Sequence, residues 1–235
     1  MKPVLLTRPL ADSRRFAEAL EAEGMDSLIW PLMRIEPIAP VSKLPIGIGG
    51  LLITSSHAIR AFAALDKRRD LPVLCVGSRT ASVARDLGFG IVLSANGNVE
   101  AMARLAPGTG IRHFFYPRGR ETARDLGEML RAGGQQVTDM VLYQAVPAGD
   151  PPAPVAAALQ TGALSAITLW STRNAEVLVD WCAAKGSVRM LAVPIVAISD
   201  AVADPCREAG FQKVSAAHSP DAAGILTRLR ALSAD

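Results

Sequence analysis

Short polar turns that follow aliphatic runs are the part of this sequence best suited to chemistry. The stretch LLITSSHAIRAF, residues 51–62, passes from aliphatic residues to Thr54, Ser55 and Ser56 and then to helical periodicity. A hydroxyl at a helix start caps the helix, while the unpaired N–H groups and the positive end of the helix dipole suit an anion. The turn therefore predicts a binding site for a carboxylate or a phosphate.

Several other predicted turns have the same character. Small, hydroxyl or basic residues follow the predicted strands at Thr7 and Arg8, Gly77 and Ser78, Arg118 and Gly119, Ser171 and Thr172, and Ser199. For any one turn, helix capping alone explains these residues. Ligands bind at the carboxyl ends of strands in open α/β sheets, so many such turns together favour a ligand with several carboxylates or phosphates.

Familiar catalytic motifs are absent from the sequence. It contains no GxGxxG, P-loop, GxSxG or HExxH motif. Its three histidines, His57, His113 and His218, lack the spacing of metal ligands. His57 follows the serine pair and either contacts an anion or is a solvated residue of the helix start. An enzyme of this kind would work mainly by positioning and by backbone dipoles.

The composition is that of an ordinary globular protein. The 235 residues are 50% hydrophobic and 20% charged, which allows one large domain or two of roughly 100 residues each. The net charge of +3 is spread along the chain, so nucleic acid is not the expected partner. The apolar runs are too short for a signal peptide or a membrane span, which predicts a cytoplasmic protein. The three cysteines suggest neither a disulfide framework nor a zinc site.

Three pairs of similar segments predict an internal duplication. PVLCVGSRTASVARDLGF, from Pro72, aligns without a gap with PIVAISDAVADPCREAGF, from Pro194. LLITSSHA resembles TLWSTRN, and VLLTRPLADSRRFAEALEAEG resembles FFYPRGRETARDLGEMLRAGG. Each segment reads as a strand, a turn and a helix, and the three pairs occur in the same order. The repeat predicts two similar α/β lobes and leaves open which segments share a lobe.

The same segments resemble the uroporphyrinogen-III synthase family. The resemblance rests on LLTRP with its helix and Gly24, TSSHAIRAF, VGSRTASVARDLGF, YPRGRETARDLGEML and VLYQAVP, and it runs in register over nearly the whole chain. Each motif is weak alone, but the combination is specific. AISDAVADP departs from the family's pattern, because Ser199 and Val202 stand where glycine and threonine are usual.

The resemblance implies two flavodoxin-like parallel-sheet lobes in an interleaved layout. Residues 1–36 and 148–235 would form one lobe, and residues 41–143 the other. Residues 37–40 and 144–147 would form a two-stranded connector. The proline-rich sequences around both connector segments agree with extended linkers.

The reaction that the resemblance implies is the cyclisation of hydroxymethylbilane, a linear tetrapyrrole. Loss of water and inversion of ring D give uroporphyrinogen III, an intermediate of porphyrin and heme biosynthesis. The expected enzyme is a cyclising hydro-lyase that acts as a monomer and receives its substrate by transient handover from the preceding pathway enzyme. The resemblance implies no metal and no organic cofactor. The acetate and propionate arms of the substrate would bind at the turns described above.

Tyr143 is the candidate general acid. It ends the apolar strand DMVLYQAVP, and the resemblance places a tyrosine here close to the departing hydroxyl. A phenol keeps its proton at neutral pH and can donate it to that group. The alternative is a structural tyrosine whose hydroxyl bonds to the connector backbone.

Two other functions would use the same scaffold. A two-lobed binding or sensor module for a polyanionic metabolite would use the same turns without chemistry. A nucleotide-sugar transferase also has paired α/β lobes, but the sequence shows no recognisable nucleotide site. Production of the type III isomer from hydroxymethylbilane distinguishes the synthase from both.

Overall fold

Strands alternate with helices in both α/β units of the chain, seen in a computed structural model. The residues that the structure describes are 2–40, 44–121, 126–186 and 188–234. Unit 1 consists of Met1–Arg34 and Pro147–Asp235, and unit 2 consists of Ile35–Val146. Parallel strands alternate with helices in both units, so the predicted α/β class with parallel-sheet lobes is confirmed.

Strands and helices follow one another closely along the chain. In chain order the described strands are β1 (Val4–Leu6), β2 (Ser27–Ile29), β3 (Met33–Pro37), β4 (Gly50–Ile53), β5 (Val73–Cys75), β6 (Val92–Ser94), β7 (His113–Gly119), β8 (Gln136–Pro147), β9 (Ala166–Leu169), β10 (Ile195–Ala197) and β11 (Val214–Ala216). The described helices are α1 (Leu10–Glu21), α2 (Ser56–Leu65), α3 (Ser78–Asp86), α4 (Val99–Leu105), α5 (Leu126–Ala132), α6 (Ala153–Thr161), α7 (Thr172–Lys185), α8 (Asp200–Glu208) and α9 (Ala222–Ala234). None of these helices is both long and apolar enough to cross a membrane.

Unit 1 is built on a five-stranded sheet in the order β11-β10-β9-β1-β2. All neighbouring strands in it run parallel. Numbered by their sequence within the unit, the strands have the order 2-1-3-4-5, which is that of flavodoxin-like folds. The direction of winding reverses between β1 and β9, so a crevice is expected outside the carboxyl ends of these two strands.

Unit 2 is built on a sheet in the order β3-β8-β7-β4-β5-β6. The strands from β8 to β6 are parallel. The edge strand β3 lies beside β8, and the unit boundary falls within each of these two strands. The chain winds outward from β4 to β6 and then returns to β7 on the other side of β4. In this unit the reversal therefore lies between β4 and β7.

Each sheet is buried on both faces, which explains the continuous aliphatic runs in the sequence. Along β4, Leu51 and Ile53 pack in one hydrophobic cluster while Leu52 packs in another. In β1, Leu5 and Leu6 are likewise divided between two clusters. Alternate strand residues point to opposite faces, and a leucine this deeply buried contributes roughly 1.5–3 kcal/mol. Strands of three or four residues are therefore held firmly in place.

The predicted duplication is confirmed by the positions of the repeated segments in the two sheets. The segments of β1, β9 and β10 in unit 1 match in sequence those of β7, β4 and β5 in unit 2. Both sheets place these segments side by side in the same order. The first copy of one segment thus shares a unit with the second copies of the other two, which the repeat alone did not reveal.

Candidate functional site

The carboxyl ends of β4 and β7 form the first candidate site. The two strands are parallel neighbours at the point where the winding of unit 2 reverses. Thr54 and Ser55 follow β4, and Arg118 and Gly119 end β7. Pairing of these strands brings together two of the turns that the sequence analysis singled out. This crevice is the usual ligand site of an open α/β sheet.

Ser55 fixes the start of α2 at this crevice. Its backbone is extended, with φ −148° and ψ 146°, and its hydroxyl accepts a hydrogen bond from the backbone N–H of His57 at 3.1 Å. The hydroxyl of Thr54 lies 3.4 Å from the phenol oxygen of Tyr116. Ser56 is the first residue of α2. A helix leaves its first N–H groups without intrahelical partners, so the start of α2 suits a carboxylate.

Tyr143 lies at the same crevice, on β8 next to β7. Gly119 pairs with Tyr143, and the backbone N–H of Arg120 donates to the carbonyl of Tyr143 at 2.9 Å. The rings of Tyr143 and His57 have their centroids 5.9 Å apart. The ring of Tyr143 is partly buried against the core of unit 2. The structure thus brings the predicted general acid and the Ser55 turn together.

Arg118 is held by an acidic neighbour. Its Nε donates to Asp139 at 2.8 Å, and Arg131 donates to the other oxygen of the same carboxylate at 2.6 Å. Burial raises the pKa of Asp139, but hydrogen bonds and charges from the two arginines lower it more, so the pKa lies below its ordinary value. Asp139 therefore stays ionised at neutral pH and orients Arg118 along β7. Contact between Arg118 and a substrate remains a prediction.

The equivalent crevice of unit 1 lies between β1 and β9. Thr7 follows β1 and is fully buried, and its hydroxyl donates to the carbonyl of Thr168 at 2.6 Å. The side-chain amide of Asn174 donates to the carbonyl of Thr7 at 3.1 Å. Ser171 caps α7 by accepting from the backbone N–H of Asn174 at 3.2 Å. The side chain of Thr7 thus serves the packing of this crevice, whereas Ser171 and Thr172 are exposed.

Arg8 supplies the positive charge of this second crevice. Its guanidinium carbon lies 4.4 Å from the centroid of the Trp170 ring, and its Nη2 lies 3.3 Å from Oδ2 of Asp12. The side chain keeps 30% of its surface exposed. Stacking on Trp170 limits the positions that the guanidinium can take, so the charge is held beside the turn after β1.

The turns before α3 and α8 are equivalent to each other and have no side-chain cap. Gly77 and Ser199 are the capping residues, both with extended backbone, and no side-chain hydrogen bond caps either helix start in the described structure. Ser78 is the exposed first residue of α3. Both helices are at least two turns long, so their first N–H groups have the geometry for anion binding.

The turn after β11 was not predicted as a binding site from the sequence. A cleft of about 670 Å³ lies there, and His218, Ser219 and Arg228 are among its lining residues. The signal was present in the sequence, because HSPDAAG follows a short strand and begins a helix as the other turns do.

The cysteines belong to the packing of the two units. All three are free and buried. Burial raises the pKa of the Cys75 and Cys182 thiols to about 12 and that of Cys206 to about 11. Such thiols stay protonated and unreactive at neutral pH. Within the described ranges, no three His, Cys, Asp or Glu side chains cluster as possible metal ligands.

Comparison with known proteins gives a family match and several structural matches. A family model described as Uroporphyrinogen-III synthase HemD matches residues 14–227. A uroporphyrinogen-III synthetase from Helicobacter pylori is 15% identical and has a TM-score of 0.61, over 100% of both chains. A mutant uroporphyrinogen III synthase from Thermus thermophilus is 17% identical with a TM-score of 0.50, over 99% of this chain and 100% of that chain. The two structures show a shared fold.

Proposed function

This chain belongs to the uroporphyrinogen-III synthase family, as its motifs predicted, and we propose that it cyclises hydroxymethylbilane to uroporphyrinogen III. The observation that carries the proposal is the family match over residues 14–227. The reaction removes one water and inverts ring D, so the enzyme is a cyclising hydro-lyase of tetrapyrrole and heme biosynthesis.

The acetate and propionate arms of the substrate are proposed to bind at the helix starts of the two crevices. Ser55 and Ser171 fix the helices α2 and α7, whose first N–H groups can each donate to a carboxylate oxygen. Arg8, which stacks on Trp170, and Arg118, which pairs with Asp139, are proposed to add a guanidinium group to the crevices of unit 1 and unit 2. Carboxylates are favoured by both the helix dipoles and these charges.

Tyr143 is proposed to start the reaction as a general acid. Its phenol proton passes to the terminal hydroxyl of hydroxymethylbilane, the C–O bond breaks and water leaves. The positive charge then lies on the conjugated pyrrole system of the substrate. The substituted carbon of the terminal ring attacks this cation, and the bond from that carbon to its original bridging methylene then breaks. The free α-carbon of the same ring attacks the methylene cation so formed, which closes the macrocycle with the ring inverted, and the proton that this carbon loses restores the phenol. The protein contributes chiefly positioning and proton transfer.

The direct test is incubation with hydroxymethylbilane followed by separation of the product isomers. Type III product above the spontaneous type I background supports the proposal. A chain that binds the substrate but leaves only type I product would instead be a binding or sensor module.

Tyr143→Phe tests the general acid at little steric cost. Turnover is expected to fall about ten-fold or more, with a nearly unchanged melting temperature, because only the hydroxyl is lost. A variant that loses stability but keeps its turnover would leave Tyr143 with a structural role only.

We also propose a cellular location and an oligomeric state for the enzyme. Three free thiols agree with a reducing compartment, which supports a cytoplasmic location. We further propose that the enzyme acts as a monomer and receives its unstable substrate by transient handover from the preceding enzyme. Light scattering of the purified protein measures its oligomeric state, and a dimer would contradict the proposed monomer.

A further inference from the structure

We propose that Gly119 is a positioning residue for Tyr143, and this inference rests on the proposed function. A Cβ at residue 119 would lie 3.0 Å from Cε2, 3.1 Å from Cζ and 3.3 Å from the phenol oxygen of Tyr143. These distances are shorter than ordinary van der Waals contacts between carbon atoms. The ring of Tyr143 therefore occupies space that any side chain at residue 119 would take. Gly119 acts through its missing side chain, in addition to any contact of its backbone with substrate.

A break in strand register places the glycine opposite the tyrosine. Arg118 pairs with Val141, whereas the next residue, Gly119, pairs with Tyr143, so Leu142 is bypassed. Without this irregularity Gly119 would face Leu142, whose side chain is buried in the core. Bulges of this kind commonly redirect a side chain beside an active site. Here the bulge brings the partly exposed tyrosine to the end of β7.

His57 is the second neighbour that defines the place of the phenol. Its ring centroid lies 5.9 Å from that of Tyr143, and the two planes are inclined by 52°. The backbone of His57 is fixed in turn by the hydroxyl of Ser55. The tyrosine ring is thus close to both strand ends of the crevice, and a Cβ at residue 119 would lie nearest to Cε2 and to Cζ, the carbon that carries the hydroxyl. A small displacement at residue 119 therefore acts on the atom that is proposed to transfer the proton.

Alanine at residue 119 isolates this contact. Gly119 is not among the glycines with positive φ, so its backbone conformation is open to alanine. The main steric consequence of the added methyl is then collision with the Tyr143 ring. Because a displacement of about 1 Å can cost up to 10²-fold in rate, a shift of a few tenths of an ångström is expected to reduce kcat by about ten-fold.

The kinetic test is a double-variant cycle of Gly119→Ala and Tyr143→Phe. Gly119→Ala alone should lower kcat for type III formation by about ten-fold, with KM for hydroxymethylbilane and the melting temperature nearly unchanged. In the Tyr143→Phe background the same change should have almost no effect, because no hydroxyl remains to be displaced. Gly108→Ala is the matched control, since a Cβ at residue 108 meets no atom within 4 Å. The inference would be overturned if the losses in kcat of the two single variants multiplied in the double variant. It would also be overturned if Gly119→Ala raised KM instead of lowering kcat.

A second measurement does not depend on activity. The chain has only two tyrosines, Tyr116 and Tyr143, so labelling with ζ-¹³C tyrosine gives two signals that Tyr143→Phe assigns. Gly119→Ala should shift the Tyr143 signal and leave that of Tyr116 in place. An unshifted Tyr143 signal would overturn the contact itself. If the unmodified chain formed no type III product but Gly119→Ala still shifted the Tyr143 signal, the proposed function would be refuted and the contact would stand.

Discussion

Asp139→Ala is expected to destabilise unit 2, because it leaves two arginines without their shared carboxylate. Asp139 accepts from Arg118 at 2.8 Å and from Arg131 at 2.6 Å. The three side chains are partly exposed, with 28% of the Asp139 surface, 24% of Arg118 and 41% of Arg131 accessible. The cluster joins β7 and β8 just before the bulge at Gly119. Its loss should therefore weaken the pairing that supports Tyr143.

The magnitude follows from this intermediate burial. An exposed ion pair contributes ~0–1 kcal/mol, and breaking a buried pair costs ~3–5 kcal/mol. Asp139 lies between these limits and accepts two charge-assisted hydrogen bonds, so we expect a loss of about 2 kcal/mol in the free energy of unfolding. For a chain of this length, that corresponds to a fall in Tm of about 4–8 °C.

The contribution of Asp139 should depend on pH in a defined direction. Its pKa is lower in the folded protein than in the unfolded chain, because the hydrogen bonds and charges of the two arginines outweigh the effect of burial. A group with a lowered folded pKa stabilises above its unfolded pKa, and this stability is lost as the pH falls through the folded pKa. The difference between the parent protein and the variant should be full at pH 7 and shrink below about pH 4.

Urea unfolding followed by circular dichroism at pH 7 and in the acid range measures both effects. Asp204→Ala is the matched control, because Asp204 is 55% exposed and pairs only with Arg207 among the ion pairs described. The control should lose no more than about 0.5 kcal/mol. If Asp139→Ala lost no more than Asp204→Ala, or if its effect persisted unchanged in acid, the reasoning from partial burial would be wrong.

Two further outcomes are expected. Ser55→Ala and Ser171→Ala should each cost about 1 kcal/mol of stability as lost caps, and the double variant should raise KM for hydroxymethylbilane. Asn98→Ala removes the comparable cap of α4 and should leave KM unchanged. Equal KM values in the parent protein, the double serine variant and Asn98→Ala would leave both serines with a capping role only. The three cysteines, whose pKa burial raises to about 11 or 12, should resist iodoacetamide at pH 8 until the protein is unfolded. Rapid labelling of the folded chain would contradict their burial.

The sequence determined the local elements and their repetition. Ser55 and Ser171 were predicted at helix starts, and both cap their helices. This succeeded because a capping serine acts on N–H groups two or three residues away, so the signal lies within one short stretch. The α/β class was equally predictable, since aliphatic runs alternating with helical periodicity reflect the burial of each element separately.

Only the tertiary structure decided which elements meet and how their side chains are used. The sequence could not assign the repeated segments to a sheet, because parallel pairing joins strands that are distant along the chain. Because these contacts also join residues that are distant along the chain, the sequence could not predict three further features. They are the ion pair of Arg118 with Asp139, the buried hydroxyl of Thr7 and the contact of Gly119 with Tyr143. A one-residue change in register alters which side chains face each other. That register is set by packing across the whole unit, so no local pattern in the sequence could reveal it.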